Sequence, residues 1–263
     1  MIFTGQSIAP GASTHRQGAA MLNEREMMRY GRQLTIKDWG IDAQEKLKKA
    51  TVFIAGAGGL GSPLLYYLAV AGVGRLRVCD FDTIELSNLN RQILHPTKNV
   101  GRLKAESAGE TLAAANGDVW IDVVKEKITR KNAAGLVGDA RLIIDCLDNF
   151  EARHLLNRVS VEKRIPMVHA GVAGFQGQIT FLDPPATPCL ACFIPSKVKK
   201  EPVPIFGATP GVMGSMEAVE AIKYLTGLGD NLRNRLLLFD GAAMTFSTIK
   251  LSRNPKCKVC GGM

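Results

Sequence analysis

Residues 51–82 read TVFIAGAGGLGSPLLYYLAVAGVGRLRVCDFD, and this stretch decides the fold. Residues 51–55 form a short apolar run of strand type. Gly56, Gly58, Gly59 and Gly61 make a glycine-rich turn, and an apolar helix is expected to follow through about Ala71. Residues 75–79 read as a second buried strand that ends on Asp80. Strand, G-x-G-x-x-G, helix, strand and an acid about 20 residues past the glycines is the order of a mononucleotide-binding βαβ unit. Gly56 permits the tight turn, Gly58 lets backbone approach a phosphate, and Gly61 lets the helix pack close on the sheet. The first turn of that helix offers unpaired N–H groups and partial positive charge to an anion. Asp80, at the carboxyl end of the next strand, is placed to accept hydrogen bonds from ribose hydroxyls.

Around this unit the chain alternates strands and helices. Helices are expected at 41–49, 102–115, 132–137 and 150–162, and strands at 119–124, 141–145 and 167–170. That alternation predicts a Rossmann-like, doubly wound α/β sheet that is mostly parallel. After Ala170 the pattern changes: GVAGFQGQITFL is rich in glycine and β-branched residues with no helix between, so antiparallel strands are expected. A helix at 211–226 and strands at 236–239 and 245–251 complete the reading. Residues 1–20 carry no helix or strand period and read as a flexible extension, leaving 21–263 as one domain. Within 23–34, NEREMMRYGRQL starts on a plausible N-cap, with Met27, Met28 and Leu34 as its apolar side.

Composition limits the function classes. The chain has 263 residues, 46% of them hydrophobic and 22% charged, as in a soluble globular protein. No apolar run approaches the ~18 residues of a membrane span. The N-terminus lacks the basic start and apolar core of a signal peptide, so the cytoplasm is the expected location. A formal net charge of +9 favours acidic partners. The basic residues are scattered and form no nucleic-acid module, so nucleic acid is not expected among them. Lys197, Lys199 and Lys200 form the one local cluster.

Four of the six cysteines stand in two C-x-x-C pairs, Cys189/Cys192 and Cys257/Cys260. Two short-spaced pairs brought together suit a closed tetrahedral Zn²⁺ site, a structural four-cysteine centre pinning the C-terminal tail. Cys79 and Cys146 lie inside apolar strands and read as inert core residues. The connection from Asp80 to Lys104 is unusually polar for a strand-to-helix link. It supplies Asp80, Asp82, Ser87, Asn88, Asn90, Arg91, Gln92 and Lys104 near the glycine turn. The DCLDN run at another strand end supplies Asp145, Asp148 and Asn149, and one of these carboxylates is expected to hold Mg²⁺. Cationic side chains, a carboxylate and a glycine turn on one rim match a nucleoside triphosphate.

GAGGLGS, CDFDTIELSNLNRQ, GRLKAE, DCLDN and the paired C-x-x-C motifs, in that order, resemble the MoeB/ThiF/HesA family, the bacterial relatives of ubiquitin-activating enzymes. The resemblance runs from about Glu24 to the C-terminus. It implies a homodimeric, ATP-dependent adenylyltransferase acting on the C-terminal Gly-Gly carboxylate of a small ubiquitin-like sulfur-carrier protein, in cofactor biosynthesis of the molybdopterin or thiamine type. By that resemblance Asp80 holds the ribose, Asn88, Arg91 and Lys104 the phosphates, and Asp148 the Mg²⁺. Arg32, within RYGRQ, would reach the triphosphate from the partner subunit as an arginine finger. The catalytic set is then Arg32, Arg91, Lys104 and Asp148. Lys197, Lys199 and Lys200 would meet an acidic carrier.

The sequence departs from the family pattern in three places. Several members carry a further cysteine between the first C-x-x-C pair and the next helix; SKVKKEPVPIFGATPG has none, so no covalent thioester with the carrier is expected. No rhodanese-like segment follows the last C-x-x-C, so a separate sulfur donor is expected. Leu147 stands where relatives commonly have threonine. Two other readings share the opening fingerprint: an NAD-dependent oxidoreductase, for which His95 and His169 would be the acid candidates although neither shows a partner in sequence, and a non-catalytic nucleotide-binding scaffold.

Overall fold

The computed structural model describes residues 21–194 and 204–262. The N-terminal extension, the Lys197–Lys200 cluster and Met263 lie outside the described residues. The architecture is built on strands β1 (Thr51–Ala55), β2 (Arg75–Cys79), β3 (Trp120–Val124), β4 (Leu142–Asp145), β5 (Met167–Ala173), β6 (Gln176–Leu182), β7 (Arg235–Asp240) and β8 (Thr245–Lys250). They form a single sheet in the order β3-β2-β1-β4-β5-β6-β7-β8. β3 through β5 pair in parallel, and β5 through β8 are antiparallel. Both the doubly wound α/β expectation and the change of style after Ala170 hold.

β1 is buried on both faces, as a central parallel strand must be. Val52 and Ile54 face one apolar layer, and Phe53 and Ala55 the other. The first layer is filled by α4 (Gly61–Ala71), α5 (Lys104–Ala115) and α8 (Ala208–Thr226). The second is filled by α6 (Ala133–Val137) and α7 (Phe150–Lys163). Burying each large side chain here is worth about 1.5–3 kcal/mol. The strand order reverses between β1 and β4, which opens a crevice beyond their carboxyl ends. Register makes those ends level: Ala55 pairs with Cys79 and Asp145, Cys79 with Val124, and Asp145 with His169. The residues one step beyond that row build the candidate site.

Two expectations need correction. The 23–34 segment is two short helices, α1 (Glu24–Arg29) and α2 (Gly31–Leu34). Its anchor is not the methionine face: Met28 is 78% exposed, whereas Tyr30 is 3% exposed. Asn23 and Glu26 form a capping box, and Glu26 is buried against Lys48 at 2.7 Å. Tyr30 fills the niche over Gly72, where a Cβ would lie 2.5 Å from its ring, and its hydroxyl accepts a hydrogen bond from Asn116 at 2.9 Å. The second correction concerns α8, which begins at Ala208 rather than Gly211. α3 (Gly40–Lys48) links the N-terminal helices to β1.

Candidate nucleotide site and cysteine centre

The turn between β1 and α4 is shaped by what surrounds it. Gly56 has φ +101°, and a Cβ there would sit 2.8 Å from the Cys146 carbonyl oxygen at the start of the β4–α7 connection. A Cβ on Gly61 would lie 2.1 Å from the Gly56 carbonyl oxygen, so the helix can enter only at glycine. Gly58 lies against Gln92, and Gly59 against Pro210 and the Arg91 stem. No side chain caps α4; Ser62 donates its N–H to the Gly58 carbonyl at 2.9 Å and Pro63 has none, so the N–H of Gly61 and those of the turn before it are what the helix end offers an anion.

Asp80 closes the turn from the β2 side. Its Oδ2 accepts the Ala57 N–H at 2.8 Å and its Oδ1 the Asp82 N–H at 2.9 Å. Burial pushes its pKa up, against the pull of those N–H donors and of Lys104. Lys104 opens α5, is 7% exposed, and reaches Asp82 Oδ2 at 3.1 Å. Gln92 is 5% exposed, and its Oε1 finds no partner among the described residues. Arg91 is half-buried, with NH1 on Ser87 O at 3.1 Å and on Asn90 Oδ1 at 2.8 Å. Asn88 ends a 3-10 turn, its Oδ1 accepting the Glu85 N–H at 3.2 Å, and its amide nitrogen has no partner among the described residues. Glycine turn, orphaned amide oxygen and flanking cations together form a cradle whose donors and charge fit a nucleotide's ribose and phosphates.

On the β4 side the two aspartates separate. Asp145 is not available to a metal: it is fully buried, with Oδ2 2.7 Å from His169 Nδ1 and Oδ1 3.8 Å from Arg153 Nε. Although burial alone would raise its pKa, Arg153 and the His169 hydrogen bond hold it below the usual carboxylate range. Asp148 is exposed and has no partner among the described residues. Asn149 caps α7 through its Oδ1, 2.8 Å from the Ala152 N–H, so only its amide nitrogen remains for a ligand. Arg32 is exposed on α2.

Both histidines do have partners. A chain of donors runs from Asn99 to the Ser107 hydroxyl at 2.9 Å and on to His95 Nδ1 at 3.1 Å. His95 Nε2 then donates to the Ala57 carbonyl at 2.8 Å. Burial lowers its pKa, so the ring is a neutral brace for the glycine turn. His169 is likewise lowered by burial. Neither faces open solvent.

Glu217 escaped the sequence reading because it sits inside an ordinary helical pattern. It is fully buried on α8, with Oε2 3.5 Å from Cys146 Sγ and Oε1 without a partner among the described residues. Burial, and then the ionised Asp145, raise its pKa well above the ordinary carboxylate value. The native state therefore keeps a proton that the unfolded chain releases above about pH 4.5, and stability is lost as pH rises toward the folded pKa. Glu217→Gln keeps the acceptor for Cys146 and removes the titration. Its unfolding free energy relative to the parent, followed through the thermal midpoint, should climb as pH rises from 5 to 8, by up to about 1.4 kcal/mol per pH unit. A pH-independent difference would contradict this.

The four paired cysteines converge. Their Sγ atoms all lie within 4.8 Å of one another, with Cys189–Cys257 at 3.7 Å and Cys192–Cys260 at 3.5 Å. Thiolates about 2.3 Å from a tetrahedral Zn²⁺ stand about 3.8 Å apart, so these thiols fit zinc. A disulfide at about 2.0 Å does not fit. Asn157 on α7 supports the centre, with Nδ2 3.6 Å from Cys189 Sγ and Oδ1 2.8 Å from the Leu190 N–H. Cys79 and Cys146 are buried, as expected of core thiols.

A family model described as the ThiF family matches residues 30–259. A sulfur carrier protein adenylyltransferase of Thermus thermophilus is 39% identical over 90% of this chain and 92% of its own length. A SAMP-activating enzyme E1 of Haloferax volcanii is also 39% identical, over 91% of each chain. Among solved structures, E. coli MccB crystallised with ATP matches with a TM-score of 0.81 at 25% identity, covering 89% of this chain and 74% of that one. No helix among the described residues is long and apolar enough to cross a membrane.

Proposed function

The chain belongs to the ThiF family, and we propose that it is an ATP-dependent adenylyltransferase for the C-terminal glycine carboxylate of a small ubiquitin-like sulfur-carrier protein, serving cofactor biosynthesis of the molybdopterin or thiamine type. Residues 21–263 act as one ATP-binding domain behind the 1–20 extension. An ionised carboxylate attacks the α-phosphorus, the α–β bridging oxygen leaves with pyrophosphate, and an acyl-adenylate remains. No proton has to move in that step, so the work is positioning and charge neutralisation.

Each residue then has a task. Asp80 and the Ala57 peptide hold the ribose edge, and Gly58, Gly59 and the α4 N-terminus face the phosphates. Arg91 and Lys104 offset developing charge on the leaving group, with Asn88 and Gln92 supplying polar contacts and Asp82 orienting Lys104. Asp148, beside Asn149, would hold Mg²⁺, which when bound neutralises phosphate charge. Arg32 would complete the site of a partner protomer. An apolar groove of about 670 Å³ starting at Arg91 and running along Val212, Met216 and Val219 supports burial of that face in a homodimer. Lys197, Lys199 and Lys200 are proposed as carrier contacts.

The observation that carries this reading is the convergence on one rim. Asp80 is bonded into the glycine turn, Lys104 is held within reach of it, and an unpartnered Asp148 lies beyond β4. A nicotinamide enzyme needs an acid or base at the cofactor, and the two candidate histidines, His95 and His169, are enclosed braces. A non-catalytic scaffold has no need for a lysine buried beside Asp80 at the glycine turn. The activity is testable as ATP–pyrophosphate exchange across a panel of Gly-Gly-ending carriers. Exchange that appears only with a carrier is expected; exchange with none of them, or hydride transfer to NAD, would sink the proposal.

Of the six cysteines, four stand in the centre and two are buried, leaving no exposed thiol. We therefore expect intact-mass spectra of enzyme, carrier and ATP to contain the carrier adenylate and no thiol-labile enzyme–carrier adduct. Sulfur would then come from a separate donor protein. Six reduced thiols suit the cytoplasm.

A further inference from the structure

Four residues join β4 to α7, and their backbone and side chains are tied down at every position but one. Cys146 donates its N–H to the Ala55 carbonyl at 2.9 Å. Leu147 is gripped from both sides: its N–H reaches Asp145 Oδ1 at 3.1 Å, and its carbonyl receives NH2 of Arg153. Asn149 is fixed as the α7 cap at 2.8 Å. Only the Asp148 side chain is left exposed and unpartnered among the described residues.

Arg153 ties this connection to the sheet. It leaves the first turns of α7, 7% exposed, and its guanidinium bridges two chain segments. NH2 takes the Leu147 carbonyl, NH1 donates to the Ala170 carbonyl of β5 at 3.0 Å, and Nε stands 3.8 Å from Asp145 Oδ1. NH1 also lies 3.3 Å from His169 Nδ1, whose ring holds the other Asp145 oxygen. The Phe150 ring backs the guanidinium at 5.7 Å. Desolvating a cation and a carboxylate is costly, and well-packed apolar groups would serve stability as well. What an apolar core would not supply is a planar fork that locks the Leu147 peptide to β5. A lysine, with one compact charge, cannot span both carbonyls.

We propose that Arg153, with Asp145 and His169, is a positioning unit for Asp148: it fixes the Leu147 peptide so that the next carboxylate faces the divalent cation of the bound nucleotide. The inference rests on Asp148 as that cation's ligand. None of the three touches the nucleotide; they act through one backbone peptide, as outer partners do at metal sites.

The test measures metal binding directly, apart from turnover. Mn²⁺ affinity of the complex with a non-hydrolysable ATP analogue is read by electron paramagnetic resonance, and analogue affinity in EDTA is read separately. Arg153→Lys should weaken Mn²⁺ about tenfold or more while leaving metal-free nucleotide affinity within about twofold. In an Asp148→Asn background the same substitution should have no further effect on Mn²⁺. Unchanged Mn²⁺ affinity in Arg153→Lys, an equal loss of metal-free nucleotide binding, or additive effects in the double variant would each overturn the proposal. If Asp148→Asn alone leaves Mn²⁺ affinity intact, it is the assignment of Asp148 that fails, and this inference with it. Should Arg153→Lys not fold, Asp145→Asn, which is isosteric, is held to the same Mn²⁺ loss and the same non-additivity with Asp148→Asn.

Discussion

Lys104→Met is expected to lower carrier-dependent ATP–pyrophosphate exchange by about 10²–10³-fold, the usual effect of removing one preorganised charge from a site of developing negative charge. Lys104 is the first residue of α5, where a cation is disfavoured by the partial positive charge of the helix end. It is held there nonetheless, 7% exposed, by the backbone bond from its N–H to Asp82 O at 2.9 Å and the ion pair to Asp82 Oδ2 at 3.1 Å. A charge kept against its local field, next to an anion-binding turn, is placed for a ligand. Methionine keeps the stem's packing. The abandoned partner, Asp82, is 53% exposed and stays solvated, so the stability cost should be within about 1 kcal/mol, or a few degrees of midpoint. Lys104 also helps keep Asp80 ionised, so its loss should weaken ribose contacts as well. Lys104→Arg keeps charge but not the point geometry and should recover only part of the rate. Exchange within threefold of the parent in Lys104→Met, with a folded protein, would mean that the lysine serves only Asp82.

The glycine turn was legible because three periodicities meet in 32 consecutive residues, and each has one physical reading. Strand, tight turn and buried helix leave little else for residues 51–82 to do. What the sequence hid is long-range pairing. Asp145 and Asp148 look equivalent in DCLDN; only the register Asp145↔His169 shows that the first belongs to the sheet interior. His169 has no visible partner until β4 and β5 lie side by side, and His95 none until α5 brings Ser107 beneath it. Arg153 and Glu217 sit inside helices as unremarkable members of a periodic pattern, and nothing local signals that they face other elements. The N-terminal error is of the same kind. Met27 and Met28 satisfy an amphipathic pattern over 23–34, yet two helices this short take their place from tertiary contacts, which here are Tyr30 and Glu26. The two C-x-x-C pairs were readable because spacing alone restricts them to few geometries.

The second large effect belongs to that centre. Protein purified without chelator is expected to carry one zinc per chain, and the double substitution Cys257→Ser, Cys260→Ser to carry none. Without a metal, little holds the tail to the body. Most of its described hydrogen bonds are internal, Cys257 N to Asn254 O at 3.0 Å and Gly261 N to Cys257 O at 2.8 Å, and the apolar cluster there is small. Although burial opposes ionisation, the N–H groups of Cys260 and Val259 and the facing thiols bring Cys257 down to about 7, so a thiolate is at hand for a cation near neutral pH. A structural zinc is worth several kcal/mol, which for a chain of this size corresponds to a midpoint lower by about 10 °C or more. Loss of the metal should also open the segment around Arg253 and Lys256 to trypsin. Exchange measured well below the lowered midpoint should change little: the centre meets α7 at Asn157 and Val161, 7 and 11 residues or about 10 and 16 Å along the helix from the Phe150 end that borders the nucleotide crevice. A metal-free protein of unchanged midpoint would show the thiols to be packing groups, and a collapse of exchange in a still-folded variant would show that the centre reaches the chemistry through α7.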